Sequence, residues 1–433
     1  MKGCGCIDIP DESSEDAVWR ALLRLSIFAS GRTSPNPSVA CVISSKEHNI
    51  LIGGATEPAG RRHAEIVALD ALDRFALEHS RFDPPVPLTM TVTLEPCSRH
   101  GRTPPCVLRI AQYSRASDFS KRHGLYIDTV RIAEADPSMD GQGFAALIHM
   151  GFSVEHASGA FRSFLQPFFS RLRGRPLYTV KLATDRNGVM GHRKCQVSLT
   201  GLSGRILTMR LRAKCDGVLA GPGTVAVDRP SLDLRPPLLS EEVPFQESSM
   251  QRFDTEDARK VWFRSLFEPG CGWTAMEDPA LQKEFQPLRI FLLGRPFDDV
   301  KLFFEKQEKL SIETGRQALF LSLRSMSHYW PGAIQLPDLN DPAFVQELSQ
   351  CLAEHGLNRV LIESGYGLLP LWLSALNEDD LFLHVQNEDS MDTPGDGWLR
   401  VDTGFTELDR IDGYAFAPGL MAAACGRRHA DGN

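Results

Sequence analysis

His63, Cys97 and Cys106 lie far apart in the chain, yet each falls at the end of a regular element, and that coincidence limits the fold more than composition does. His63-Ala64-Glu65 opens the segment AEIVALDALDRFAL, where Ile66, Leu69, Leu72 and Phe75 recur three apart and form one face of a helix. Glu95-Pro96-Cys97 closes LTMTVTL (88–94), a strict alternation rich in β-branched residues that predicts a strand. Cys106 follows Pro104-Pro105 at the start of a helix expected over Val107–Tyr113, and proline fits the first turn. One His and two Cys therefore sit at the N-terminal ends of two helices. The partial positive charge there favours thiolates over thiols. Zinc takes such ligands, and three of them leave a fourth position for water.

The surrounding pattern is α/β. Val18, Leu22, Leu25 and Ile27 give helical spacing over 15–30, and Val39–Ile43 and Ile50–Ile52 flank a polar turn as a hairpin. Leu125–Ala133 predicts another strand, and the alternation of strands with helices argues α/β. A helical stretch from about Phe161 to Leu172 leads to a second α/β region. Its strands are expected at 178–183, 217–220, 289–293, 318–321, 360–362 and 381–385. Between Pro236 and Phe285 the pattern fails, and the Glu-, Pro- and Ser-rich composition predicts an inserted loop. The expected organisation is a flexible 1–14, a first domain over 15–158, a linker helix over 159–174 and a second domain over 175–425 with an insertion at about 236–285.

Composition excludes several classes. The 433 residues suffice for two or three domains, and 42% apolar with 24% charged residues is ordinary for a soluble globular protein. A formal charge of −8 repels long phosphate backbones, so nucleic acid is disfavoured as a partner. The chain contains no run of about eighteen uncharged apolar residues, which argues against a membrane span. The acidic N-terminus MKGCGCIDIPDESSED lacks the apolar stretch of a signal peptide. Ten scattered cysteines resemble no compact disulfide framework and suit a reducing cytoplasm with one metal site.

The ligand set implies chemistry. Zinc brings the pKa of bound water towards neutrality. Glu65, two residues after His63, is placed to lie beside the metal without binding it, where it can take the water's proton and pass it to a departing amine. This His-x-Glu and Pro-Cys arrangement is that of zinc deaminases acting on nucleobase rings. The competing reading is a closed structural zinc site in a binding or assembly protein. It needs a fourth ligand from His100 or Cys41 and leaves Glu65 without a purpose.

PNPSVACVI, HAEIVALDAL and LEPCSRHGRTPPC resemble the deaminase half of the bifunctional riboflavin-biosynthesis deaminase/reductase family. Nucleoside and nucleotide deaminases place two residues between the cysteines. Here eight lie between Cys97 and Cys106, and the GRTPPC ending is specific to the riboflavin family. DPSMDGQGFAALIHMGFSV resembles the end of that domain, and the likeness resumes at Arg175-Pro176 and runs with gaps to about Val385. The resemblance implies a cytidine-deaminase-like three-layer domain followed by a dihydrofolate-reductase-like α/β domain. It implies a small phosphoribosyl pyrimidine substrate, Zn2+ and NADPH as cofactors, a cytoplasmic setting and a homo-oligomer. It implies zinc on His63, Cys97 and Cys106, proton transfer by Glu65 and ring binding by Asn36. In the second domain Lys181, Thr200, Asp228 and Glu363 would line the substrate site, with Arg212 and Arg235 on the ribose phosphate. Gly221, Gly223, Thr224 and Gly365 would hold the cofactor.

The chain departs from the family pattern in places. Thr56 and Arg99 stand where His is usual, and Ser138 where Asn is usual. In the second domain the changes fall on the cofactor side: Asp185-Arg186-Asn187-Gly188, Ser198-Leu199-Thr200, Asp228-Arg229-Pro230 and Glu363-Ser364-Gly365. The alternative is therefore a monofunctional pyrimidine deaminase of a secondary, toxoflavin-like pathway, its second domain kept as a scaffold.

Overall fold

The computed structural model describes residues 14–100, 104–157, 161–235, 258–267, 279–363, 365–387, 389–393, 396–401, 408–417 and 420–427. The chain divides into two compact units, the first running to Leu165 and also counting residues 258–261, the second taking the other described residues from Gln166 on.

In the first unit, α1 (Glu15–Ala29) starts where the sequence supplies a cap. Ser14 Oγ accepts from the Ala17 N–H at 3.2 Å, and Glu15 and Asp16 complement the positive end of the helix. There follow β1 (Ala40–Ser45), β2 (Ile50–Ala55), α2 (Ala64–Glu78), β3 (Val86–Leu94), α3 (Cys106–Ala111), α4 (Asp118–His123), β4 (Leu125–Glu134), α5 (Gln142–His149) and β5 (Ser153–His156). The sheet order is β2-β1-β3-β4-β5. β1 is antiparallel to β2 and β3, giving the expected hairpin, while β3, β4 and β5 run parallel. The alternating β3 is covered on both faces, because Thr91 and Thr93 are buried along with Met90 and Val92. The Thr93 hydroxyl is satisfied there by the Ala40 N–H at 3.0 Å.

Two contacts hold α2 in place. A Cβ on Gly54 of β2 would stand 2.5 Å from both Ala64 O and Ala68 N, so only glycine lets the strand approach the first turn this closely. Asp73 of α2 accepts from Arg109 Nη2 and from the Tyr113 hydroxyl, each at 2.8 Å, which ties α2 to α3.

The second unit contains α6 (Arg162–Leu172, shared with the first), β6 (Leu177–Thr184), β7 (Val189–His192), α7 (Gly201–Ala213), β8 (Gly217–Ala220), α8 (Pro222–Asp228), α9 (Ala258–Ser265, likewise divided between the units), α10 (Pro279–Glu284), β9 (Leu288–Leu293), α11 (Val300–Thr314), β10 (Leu319–Leu323), β11 (Ile334–Leu336), α12 (Phe344–Glu354), β12 (Arg359–Glu363), α13 (Leu369–Ala375), β13 (Leu381–Asn387), β14 (Trp398–Arg400), β15 (Leu408–Ala417) and β16 (Leu420–Arg427). Its main sheet has the order β11-β10-β9-β8-β12-β6-β13-β16-β15, and β14 pairs with β7 in a separate ribbon. The run from β11 to β13 is parallel; β16 and β15 add antiparallel pairs at one edge. Tyr178, Leu219, Ile290, Ile362, Trp372 and Phe382 belong to its core. All six strands expected from the sequence are present.

The loop expected between Pro236 and Phe285 is corrected where the structure describes it. α9 and α10 lie inside it, and Trp262, Phe263, Leu266, Phe267 and Phe285 are buried. The Arg359 guanidinium stands 4.0 Å over the Trp262 ring, and Arg210 Nη1 donates to Leu266 O at 3.1 Å. Residues 236–257 and 268–278 of that segment lie outside the described residues.

Candidate active site

In the first unit the sheet and two helix starts converge. His63 is the N-cap of α2 and Cys106 opens α3, while the expected helix-start position of Cys97 is corrected: it follows β3 by three residues, in the turn before α3. Their ligand atoms all lie within 4.8 Å of one another. Cys97 Sγ is 3.8 Å and Cys106 Sγ 3.4 Å from His63 Nδ1, and the Cys106 backbone N–H donates to Cys97 Sγ at 3.2 Å. The Cys97 thiol is drawn down to about 4, first by its hydrogen bond from Cys106 and next, after the opposing effect of burial, by His63. Cys106 is pushed up by the same shared proton. His63 is raised, chiefly by its contact with Cys97. Two soft sulfurs and one imidazole at this spacing fit a zinc ion, which would displace the shared protons. Among the described residues neither Cys41 nor His100 joins the set, so the donors number three.

Glu65 lies in the first turn of α2, 4% exposed, and burial pushes its carboxyl up. Cys41, beneath it on β1, is pushed up by burial and then by the Glu65 charge. Asn36 sits in the turn between α1 and β1, where its N–H donates to Thr33 O at 2.9 Å and its carbonyl accepts from the Thr33 hydroxyl at 3.1 Å. Thr56 and Ser98 are close by in sequence to α2 and Cys97, and their hydroxyl oxygens are buried without a hydrogen-bond partner. Gly101, Arg102 and Thr103 of the GRTPPC motif lie outside the described residues.

The second unit has a cavity of about 540 Å³ beyond the carboxyl ends of β6, β8 and β12. This is where open parallel sheets place ligands. Lys181, Asp228 and Glu363 line it, as do Gly221, Gly223, Thr224 and Gly365. Lys181 and Glu363 are register partners on β6 and β12. Burial lowers the Lys181 ammonium and raises the Asp228 carboxyl. Among the described residues nothing stands within 4 Å of a Cβ built on Gly223, whereas one on Gly365 would meet Thr224 Oγ1 at 3.0 Å. The two turns thus present bare backbone to one space. Ser364 lies outside the described residues.

Three expected residues are not on the cavity wall. Thr200 caps the start of α7 and packs its hydroxyl against Gly204. Arg235 is exposed. Arg212 is expected on the ribose phosphate, and in this structure its fork is paired within the protein. Nε and Nη2 pair with the two Glu363 oxygens at 2.7 and 2.8 Å, and Nη1 donates to Asp233 O at 3.0 Å. Burial opposes both charges, but their contact prevails: Glu363 is held below the usual carboxylate range and Arg212 above its own. Arg212→Met should therefore cost about 3–5 kcal/mol of stability by leaving the Glu363 charge alone, and the pair Arg212→Met with Glu363→Leu should recover most of it. Urea denaturation followed by tryptophan fluorescence measures this. An unchanged midpoint for the single variant would free the guanidinium for a ligand. His192 and Cys195 also line the cavity and carry no sequence signal that would have singled them out.

Comparison with known proteins places both units. Residues 15–118 match the cytidine and deoxycytidylate deaminase zinc-binding region. The riboflavin biosynthesis protein RibD of Mycobacterium tuberculosis is 30% identical over 238 residues, 53% of this chain and 63% of the relative, so that match spans less than two thirds of its length. RibD of Buchnera aphidicola is 26% identical over 84% of each chain. The structure of Acinetobacter baumannii RibD superposes with a TM-score of 0.63 at 21% identity, covering 94% of this chain and 97% of that one. A Thermotoga maritima diaminohydroxyphosphoribosylaminopyrimidine deaminase/5-amino-6-(5-phosphoribosylamino)uracil reductase gives a TM-score of 0.64 at 20% identity, covering 95% and 98%. The fold is that of a cytidine-deaminase-like domain joined to a reductase-like α/β domain, and no helix among the described residues is long and apolar enough to cross a membrane. In its zinc-binding region, its curated relatives and its two-part fold, the chain is similar to the riboflavin-biosynthesis deaminase/reductases.

Proposed function

We propose that the first unit hydrolyses the 2-amino group of 2,5-diamino-6-(5-phosphoribosylamino)pyrimidin-4(3H)-one to a carbonyl, releasing ammonia, and that the second reduces the ribose of the product to a ribityl chain. The observation that carries the first half is the convergence of His63, Cys97 and Cys106 with the buried Glu65 beside them. His63, Cys97 and Cys106 would hold zinc, which when bound makes water acidic enough to attack at neutral pH. Glu65 accepts the proton as water oxygen bonds to the ring carbon, and returns it to the nitrogen as the carbon–nitrogen bond breaks. Asn36 offers donor and acceptor to the pyrimidine edge.

In the second unit NADPH would supply the hydride when bound. Lys181, Asp228 and Glu363 face the cavity and would orient the sugar, and the Gly221–Thr224 turn with Gly365 would cradle the cofactor phosphates. A cytoplasmic homo-oligomer is the expected setting. The scaffold reading of the second unit has one observation in its favour. Its altered positions 198 and 364 belong to the cofactor side, where the large ring and the second glycine of the family pattern are missing.

Mass spectrometry of the product separates the two readings. With the purified full chain and zinc, the substrate should exchange NH for O and release ammonia. Added NADPH should then introduce two hydrogens. Deamination without any NADPH-dependent reduction leaves the monofunctional deaminase, and absence of both removes the proposal.

A further inference from the structure

Glu95 precedes Cys97 by two residues and is 3% exposed. Its carboxylate is occupied by a different segment of the chain. Oε1 accepts the backbone N–H groups of Gly143 at 2.7 Å and Phe144 at 3.3 Å, and Oε2 accepts that of Asp136 at 3.1 Å. All three donors lie between the end of β4 and the first turn of α5. The contact is also steric. A Cβ on Gly143 would stand 2.3 Å from Pro96 O and 2.9 Å from Glu95 Cγ, so glycine lets α5 sit directly on the Glu95-Pro96-Cys97 turn. Arg99 Nε adds a tether to Gln142 Oε1 at 3.0 Å. Because β3 and β4 are parallel, with Leu94 opposite Glu134, the segments that follow them leave the sheet side by side. One carries Cys97 and Glu95; the other is Asp136–Gln142. Both stand at the carboxyl end of their strands, where this kind of sheet receives ligands.

We propose that Glu95 is a positioning residue: its carboxylate clamps the 136–144 segment against the metal-ligand turn and so sets one wall of the space in which the pyrimidine substrate is held. The proposal rests on the deaminase reading of the first unit. It concerns how substrate is held, not how the proton moves. The choice of a carboxylate follows from the donors. Three N–H groups converge on two oxygens, and an ionised carboxylate is acceptor-only. A glutamine of the same size keeps one acceptor oxygen, but turns its own N–H2 either to the Asp136 N–H or to those of Gly143 and Phe144.

The test compares the wild-type full chain with Glu95→Gln, each loaded with zinc, in three measurements. Zinc content should stay at one equivalent. KM for the diaminopyrimidine should rise roughly tenfold or more while kcat stays within about threefold, as expected for loss of one charge-assisted hydrogen bond that acts on binding. Amide exchange in peptides spanning 136–144 should quicken, roughly tenfold, with peptides from α1 and β1 unchanged. Gly143→Ala pushes the same segment off from the other side and should show the same split, which serves if Glu95→Gln does not fold. The proposal is overturned if KM is unchanged in the folded variants. It is equally overturned if zinc and kcat fall together in Glu95→Gln, since Glu95 would then merely support Cys97. If the wild-type chain releases no ammonia from this substrate, the deaminase reading fails instead. The exchange experiment, which needs no substrate, still shows whether the clamp exists.

Discussion

Glu65→Gln should keep one zinc per chain and release ammonia about 10²- to 10⁴-fold more slowly, the usual loss when a general acid–base is removed. The two side chains have nearly the same volume, and the site is tight. Glu65 is buried in the first turn of α2, which rests against Gly54 without room for a Cβ. Glutamine should therefore be accommodated without moving His63, which caps the same helix. It cannot take a proton from water and hand it on. Because Glu65 is not one of the three converging donors, metal content should be indifferent to the change. Substrate affinity should change little, because the removed interaction acts on the reacting atoms. Metal analysis and a coupled ammonia assay on the same preparation separate the effects. Turnover within tenfold of wild type would take proton transfer away from Glu65. Loss of zinc would mean that Glu65 supports the ligand set rather than the chemistry.

Much of this site was legible because its information is local. His63 with Glu65, and Cys106 after two prolines, each announce a helix start, and the β3 alternation ends at the Cys97 turn. The same holds for the parallel strands β6, β8 and β12, whose compact apolar runs read directly as buried strands. What the sequence left dark is pairing over long separations. Arg212 reads as a free cation until Glu363, 151 residues later, is found filling its fork. Glu95 reads as part of a cysteine motif, yet its partners come from more than forty residues on. β5 escaped notice because Ser153–His156 is a short, largely exposed edge with little alternation. α9 escaped for the opposite reason. VWFRSLF carries enough apolar surface to be buried, but it sits in a stretch whose Glu, Pro and Ser content hid a helix of eight residues.

Cys97→Ser should abolish both zinc retention and ammonia release, an effect larger than that of Glu65→Gln because it removes the site and not just one step. Substituting a group that merely supports a metal ligand costs 10- to 100-fold in affinity, and a ligand itself should cost more. Cys97 is the member of the trio most inclined to be a thiolate. It accepts from Cys106 both through the S–H and through the backbone N–H, the latter at 3.2 Å, and its thiol is drawn down to about 4. A serine hydroxyl there keeps its proton at neutral pH and offers a harder oxygen at a position shaped for sulfur. After dialysis against a chelator the variant should hold well under one equivalent of zinc, while Cys41→Ser, which changes a buried thiol outside the trio, should hold a full one. Stability gives an independent reading. Zinc at a hundredfold over its dissociation constant stabilises the folded chain by about 2.7 kcal/mol. Chelation should therefore lower the melting temperature of the wild type and of Cys41→Ser, and leave that of Cys97→Ser where it is. A full equivalent of zinc in Cys97→Ser would move the metal to other residues and with it the whole assignment of the first unit.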